Sequence, residues 1–161
     1  MSVDSAHKSN WAIWEVVFGI PFLFGIVLHF LMPFSTLQGI NIPGFLPLGI
    51  VLIVLGLRLT ALARREFAAF HQPTDPGQAT SKIVKTGVFA VSRNPLYLGG
   101  ILVLLGLVLV FNLIWALIML LLSILICHFV LILPEEHYLS AKFGDDYDQY
   151  KASVHRWYGR K

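Results

Sequence analysis

No aspartate, glutamate, lysine or arginine occurs between Leu96 and Leu133. A helix that faces water carries a polar side, so an uncharged run of this length demands apolar surroundings on nearly every face. Little more than Asn112 divides it, into Leu96–Phe111 and Leu113–Leu133. About 20 apolar residues carry a helix across the hydrocarbon of a bilayer. The two halves therefore predict two membrane helices joined as a hairpin with a very tight turn. Composition points the same way, with 57% of residues hydrophobic, 13% charged and a mean hydropathy of +0.73, where a soluble domain averages about 25% charged. An ordinary soluble domain is excluded and an integral membrane protein expected.

Two more apolar stretches come earlier. Trp11–Met32 reads as a first span of about residues 11–32, kinked at Pro21 and anchored by Trp11 and Trp14. It is too long for the apolar part of a signal peptide and has no small-residue cleavage site, so it reads as a retained span. Pro33–Pro43 carries no charge and holds Ser35, Gln38, Gly39 and Asn41, residues of a short connection. A second span of about 44–63 ends at Arg64-Arg65-Glu66, with Arg58 placed to snorkel. From Phe67 to Arg93 the chain turns polar and predicts the longest loop between spans. The third and fourth spans are the hairpin, about 96–111 and 113–133. Pro134 suits the first turn of a new helix, whose positive end Glu135 and Glu136 would favour. Gly144 marks its stop. Asp145 and Asp146 are placed to cap another helix, on which Tyr147, Tyr150, Val154 and Trp157 share a face. The expected fold class is thus all-α: one polytopic membrane domain, 1–161, with about four transmembrane helices and a tail, 134–161, of short cytoplasmic helices.

Lysine and arginine concentrate in 64–93 and 142–161, and both intervening turns lack them. Positive loops stay on the cytoplasmic side, which predicts that both termini, the long loop and the tail lie there. The net charge of +3 is spread along span flanks, so nucleic acid is not expected as a partner. Cys127 is the only cysteine, so no intrachain disulfide can form. The six histidines show no metal-ligand spacing, and no metal is expected.

Two polar knots meet at the cytoplasmic boundary of this topology. The first is Ser92-Arg93-Asn94-Pro95-Leu96-Tyr97, followed by Gly99 and Gly100; the second is Pro134-Glu135-Glu136. Arg93 offers a permanent cation, Asn94 an amide, and Tyr97 a ring with a hydroxyl. The glutamates offer acceptors for ribose hydroxyls or an ammonium group. Each residue also has a plainer reading. Arg93 fits a positive-inside anchor, the glutamates a helix N-terminus, Gly99 and Gly100 close helix packing, and Tyr147, Tyr150 and Trp157 an interfacial aromatic face.

The run Gly87-Val88-Phe89-Ala90-Val91-Ser92-Arg93-Asn94-Pro95-Leu96-Tyr97-Leu98-Gly99, then Glu135-Glu136, Leu139, Phe143-Gly144, Tyr147 and Tyr150, resembles the isoprenylcysteine carboxyl methyltransferase family, itself similar to the phospholipid N-methyltransferases. The resemblance runs from about Gly56 to Trp157 and takes in Thr74 and Pro76. It implies a membrane-embedded methyltransferase that uses S-adenosyl-L-methionine on a lipophilic acceptor arriving from the bilayer, with membrane lipids as neighbours. It implies cofactor contacts at Arg93, Asn94, Pro95, Tyr97, Leu98, Gly99, Glu135, Glu136, Tyr147 and Tyr150. Glu135 and Arg93 are the candidate catalytic residues, and an amine acceptor would need a base, for which Glu135, His128 and His71 are the candidates. Two departures matter. Asn94 stands where eukaryotic members usually have histidine. Leu131, Ile132 and Leu133 stand where members acting on prenylcysteine carboxylates carry an arginine, which counts against that acceptor and leaves carboxylate, amine and thiol open. The rival reading is a small four-helix transporter of protons or cationic compounds, relaying through Glu15, His29, Arg58 and His128. A structural subunit packing through glycine-rich helices is a third. Glycine-bearing faces permit a dimer without requiring one.

Overall fold

The computed structural model describes residues 14–32, 45–72 and 80–161. Expectations for Trp11, the Pro33–Pro43 connection, Thr74 and Pro76 lie outside these residues. Among the described residues the chain is helical, with no strand and one isolated bridge, Val154 to Arg160. A π-turn, Glu15–Gly19, leads into α1 (Ile20–Leu31). Then come α2 (Phe45–Ala69), a 3-10 turn at Gly87–Ala90 and α3 (Pro95–Phe111). Next is α4 (Ile114–Cys127), which passes through a second π-turn, His128–Ile132, into α5 (Leu133–Phe143); α6 (Asp145–Ser153) follows.

Two helical runs, Phe45–Ala69 and Ile114–Phe143, are long and apolar enough to cross a membrane; Glu15–Leu31 and Pro95–Phe111 are apolar but shorter. Large apolar side chains such as Phe30, Leu31, Leu121 and Leu125 cover the outer faces and are exposed, a surface suited to lipid. The second helix runs six residues past its expected end at Ala63. Arg64, Arg65 and Glu66 mark the end of an apolar passage, yet all three are good helix formers, so the helix continues to Ala69. It stops where His71 takes a left-handed conformation, φ 52°. The tight turn after α3 is as expected, with Asn112 at φ 53°.

The sharpest correction concerns Pro134. It does not open a new helix after a break, because α4, the π-turn and α5 form one continuous run. Pro134 and Pro21 each follow a π-turn by two residues. A proline ring collides with the carbonyl four residues back, here Val130 and Val17. Both carbonyls lie within the widened turns, so the helix absorbs each proline by a π-bulge. Glu135 and Glu136 accordingly sit inside a helical run and not at a free positive end. Asp145 and Asp146 lie in the first turn of α6 without capping it, and the chain turns at Gly144, φ 54°.

Helix α2 packs most closely on α3, and α1 on α4. The first seam is built from small residues seven apart. A Cβ on Gly56 would lie 2.5 Å from the Gly99 carbonyl, and one on Gly49 2.8 Å from that of Gly106, so the backbones touch. The pairs 49/106 and 56/99 set an antiparallel register. Gly56→Leu is expected to destabilise the fold by about 1–3 kcal/mol through overpacking, read as a lower unfolding temperature in detergent. Across the other seam, a Cβ on Gly25 of α1 would lie 2.6 Å from the Ala116 Cα. Between the pairs lies a core of Phe18, Leu120, Cys127, Leu131 and Ile132. Both π-turns contribute to it.

Candidate functional site

Glu136 is the hub of a polar network at one end of the bundle. Leu131 and Ile132 of the π-turn and Glu136, in the first turn of α5 that follows it, are all buried. Its Oε1 is 2.9 Å from Arg93 Nη1 and 2.8 Å from Arg156 Nε, while Arg156 Nη2 donates to Oε2 at 2.8 Å. The side chains of Arg93 and Glu136 are 6% and 5% exposed, that of Arg156 27%. A buried carboxylate at this depth is tolerable only with such partners. Arg156 also places Nη1 3.3 Å from His128 Nδ1. The hydrogen bond to Glu136 foremost raises the Arg156 pKa above its usual value.

Arg93 reaches this hub because Pro95 starts α3 at its first turn. The knot before it is tied by Asn94 N–H donating to Ser92 Oγ at 3.2 Å. Arg93 Nη1 also donates to the Tyr147 hydroxyl at 3.4 Å, whereas its Nε is buried with no partner. The Tyr147 hydroxyl is pushed up to about 12, by burial first and the Glu136 carboxylate next, so it stays neutral. Glu135 has a different setting. Half-buried, it accepts one long hydrogen bond, 3.3 Å from the Tyr97 hydroxyl, leaving acceptor capacity free. Trp14 stacks on Phe18 at 4.0 Å and lies against Tyr97 at 6.3 Å, with its indole in the space a side chain at Gly100 would need.

The remaining sequence candidates divide. Asn94 Nδ2 donates to the Arg156 carbonyl at 3.1 Å, and the Tyr150 hydroxyl to the Phe89 carbonyl at 2.7 Å; both brace the site's backbone. Burial also raises the Tyr150 pKa. Tyr147 and Tyr150 share a buried face of α6, as the spacing predicted, and pack with Val154; Val154 and Trp157 lie beyond the end of the helix, and Trp157 joins the central core. Tyr147 and Tyr150 therefore turn inward instead of lying on a surface. Gly99 faces Gly56 and Thr60 in the α2–α3 seam, and Pro95 is fully buried. Tyr150→Phe is expected to cost about 1 kcal/mol, the net worth of a buried hydrogen bond whose acceptor is stranded, and to lower the unfolding temperature accordingly.

A family model for phospholipid methyltransferase matches residues 45–146. The chain belongs to the phospholipid methyltransferase family. The match contains both polar knots of this family member, yet it ends before Tyr147, Tyr150 and Arg156. No curated protein and no solved structure gives a match. Membership makes the protein one of a family of methyltransferases and gives a transporter no support. The residues a proton relay would need are scattered: Glu15 and Arg58 are exposed, His29 stacks edge-on against Phe30, and His128 belongs to the Arg156 network. Among the described residues no three His, Cys, Asp or Glu side chains are placed to hold a metal ion. A shallow depression of 490 Å³ bordered by Lys85, Gln149, Tyr150 and Arg160 shares only Tyr150 with the candidate site.

Sequence reasoning missed Arg156 and Trp14 as parts of the site. Trp14 reads as an interfacial anchor, and Arg156 as one more flanking cation. Neither lies in a motif, and only the folding of both chain ends onto the knots reveals them.

Proposed function

We propose that this protein transfers a methyl group from S-adenosylmethionine to a lipid-like acceptor at the polar end of its bundle. The observation that carries this reading is that the two knots, some 40 residues apart in sequence, meet through two adjacent pairs, Arg93 with Glu136 and Tyr97 with Glu135. The residues fit the cofactor's chemistry. Arg93 Nε is a buried donor without a partner and suits a carboxylate; Glu135 has free acceptor capacity and suits an amino group or ribose hydroxyls. Bound there, the cofactor would supply an already activated methyl group on a sulfonium.

The protein's own work is then binding, orientation and exclusion of water. Glu136 and Tyr147 hold Arg93, Tyr97 orients Glu135, and Trp14 covers Tyr97. Asn94 and Tyr150 brace the knot from behind. Glu135 is also the carboxylate placed to take a proton from an amine acceptor, since Glu136 is engaged by two arginines. We place the four apolar helices across the membrane, with Arg64, Arg65, Lys85, the site and both termini on the cytoplasmic side, as the distribution of lysine and arginine favours.

Calorimetry on the purified protein in detergent tests the reading. S-Adenosylmethionine and S-adenosylhomocysteine are expected to bind the wild type, and Arg93→Ala to abolish that binding. A folded wild type that binds neither would sink the proposal.

A further inference from the structure

Arg156 lies outside the matched segment, yet it makes the fullest contact with Glu136. It sits in a turn after α6 in which His155 N–H donates to the Gly159 carbonyl at 2.8 Å, with Gly159 at φ 104°. That turn is docked on the first knot. Gly159 N–H donates to the Val91 carbonyl at 2.7 Å, Arg93 N–H to the His155 carbonyl at 3.2 Å, and Asn94 Nδ2 to the Arg156 carbonyl at 3.1 Å. From this base the Arg156 side chain crosses to Glu136 and takes both carboxylate oxygens. A closed ring results: Arg93 to Glu136, Glu136 to Arg156, Arg156 back to Asn94.

A guanidinium and a carboxylate left alone pair fork to fork, through two parallel bonds. Arg93 cannot do so here. Arg156 occupies Oε1 and Oε2, so Arg93 is limited to a single short contact, Nη1 to Oε1, and its Nε remains free. We infer that Arg156 is a positioning residue: by chelating Glu136 it keeps Arg93 from closing on that carboxylate and so holds Arg93 Nε available to the ligand. This inference rests on the methyl-transfer reading of the same site. Without the Arg156 side chain, Arg93 would turn its Nε–Nη2 edge onto both oxygens of Glu136 and its Nε would be spent, while the backbone hydrogen bonds of the turn keep it docked on the knot.

Binding of S-adenosylhomocysteine to the full chain in detergent, measured per folded protein, tests this together with steady-state kinetics and the unfolding temperature. Arg156→Ala is expected to weaken binding at least tenfold and to raise KM for S-adenosylmethionine in step, with kcat at saturating cofactor within about twofold of wild type. Arg156→Lys keeps the charge but can hold only one oxygen at a time. It is expected to recover part of the loss, with a several-fold weaker affinity at a nearly unchanged unfolding temperature. If Arg156→Ala lowers the unfolding temperature while its folded fraction binds like wild type, the role is structural and the inference is overturned. Should Arg156→Ala not fold, Arg156→Lys decides: several-fold weaker binding supports positioning, and wild-type affinity refutes it. Wild-type protein that binds no ligand would instead bring down the methyltransferase reading itself.

Discussion

Glu136→Ala is expected to destabilise the protein by about 3–5 kcal/mol, the cost of stripping a buried charge of its partner. The carboxylate is the counter-charge for both Arg93 and Arg156. Once it is gone the two guanidiniums face each other. Arg156, a quarter exposed, can swing into water; Arg93, at 6%, has only the Tyr147 hydroxyl to turn to. Most of the loss therefore falls on Arg93. Glu136→Gln keeps one acceptor oxygen and the side-chain volume, and should fall between wild type and alanine. Unfolding in detergent, followed by circular dichroism against temperature or denaturant, measures both. An alanine variant as stable as wild type would mean that Arg93 finds water or another partner on its own.

The adjacent Glu135 is expected to behave in the opposite way. Its one recorded hydrogen bond, to Tyr97 at 3.3 Å, is long, so Glu135→Gln should change stability by no more than about 1 kcal/mol. Methyl transfer should nevertheless fall by about 100-fold or more, comparable to removing one preorganised polar group from an active site. Transfer of a labelled methyl group from S-adenosylmethionine into lipid-extractable material would read this, with unfolding temperature measured in parallel. The contrast between neighbours is the informative result. If Glu135→Gln unfolded the protein while Glu136→Gln abolished only turnover, the division of labour drawn from the geometry would be reversed.

Much of this arrangement is legible in the chain itself. The uncharged run from Leu96 to Leu133 demands apolar helices, and Asn112 marks their turn because asparagine tolerates the left-handed conformation found there. Pro95 opens α3 as its fixed φ predicts. Pro134 misleads by the same rule, since the sequence does not reveal that a π-turn will carry the helix through it. Arg64 and Arg65 mislead likewise, marking the polarity of the surroundings and not the end of a helix.

For the site, local pattern identified the two knots, and the α6 spacing put Tyr147 and Tyr150 on one buried face. Which glutamate serves which purpose was not legible. Glu135 and Glu136 are chemically identical neighbours, and a step of about 100° around the helix separates them. The fold sends Glu136 inward to two arginines and Glu135 to Tyr97. Gly99 and Gly100 were equally ambiguous, and the structure gives each a packing partner, Gly56 with Thr60 for one and Trp14 for the other.

The sequence by itself determined the medium, the helical class and the chemical vocabulary of the site, because hydropathy, helix-turn chemistry and side-chain charge are properties of short stretches. Tertiary structure alone decided the pairing. Trp14 and Arg156 enter the site from opposite ends of the chain, and no periodicity or motif encodes so distant a contact. Its physical cause is the cost of leaving the Glu136 carboxylate buried without partners. That cost is met only once the chain has folded far enough to bring Arg93 and Arg156 to it.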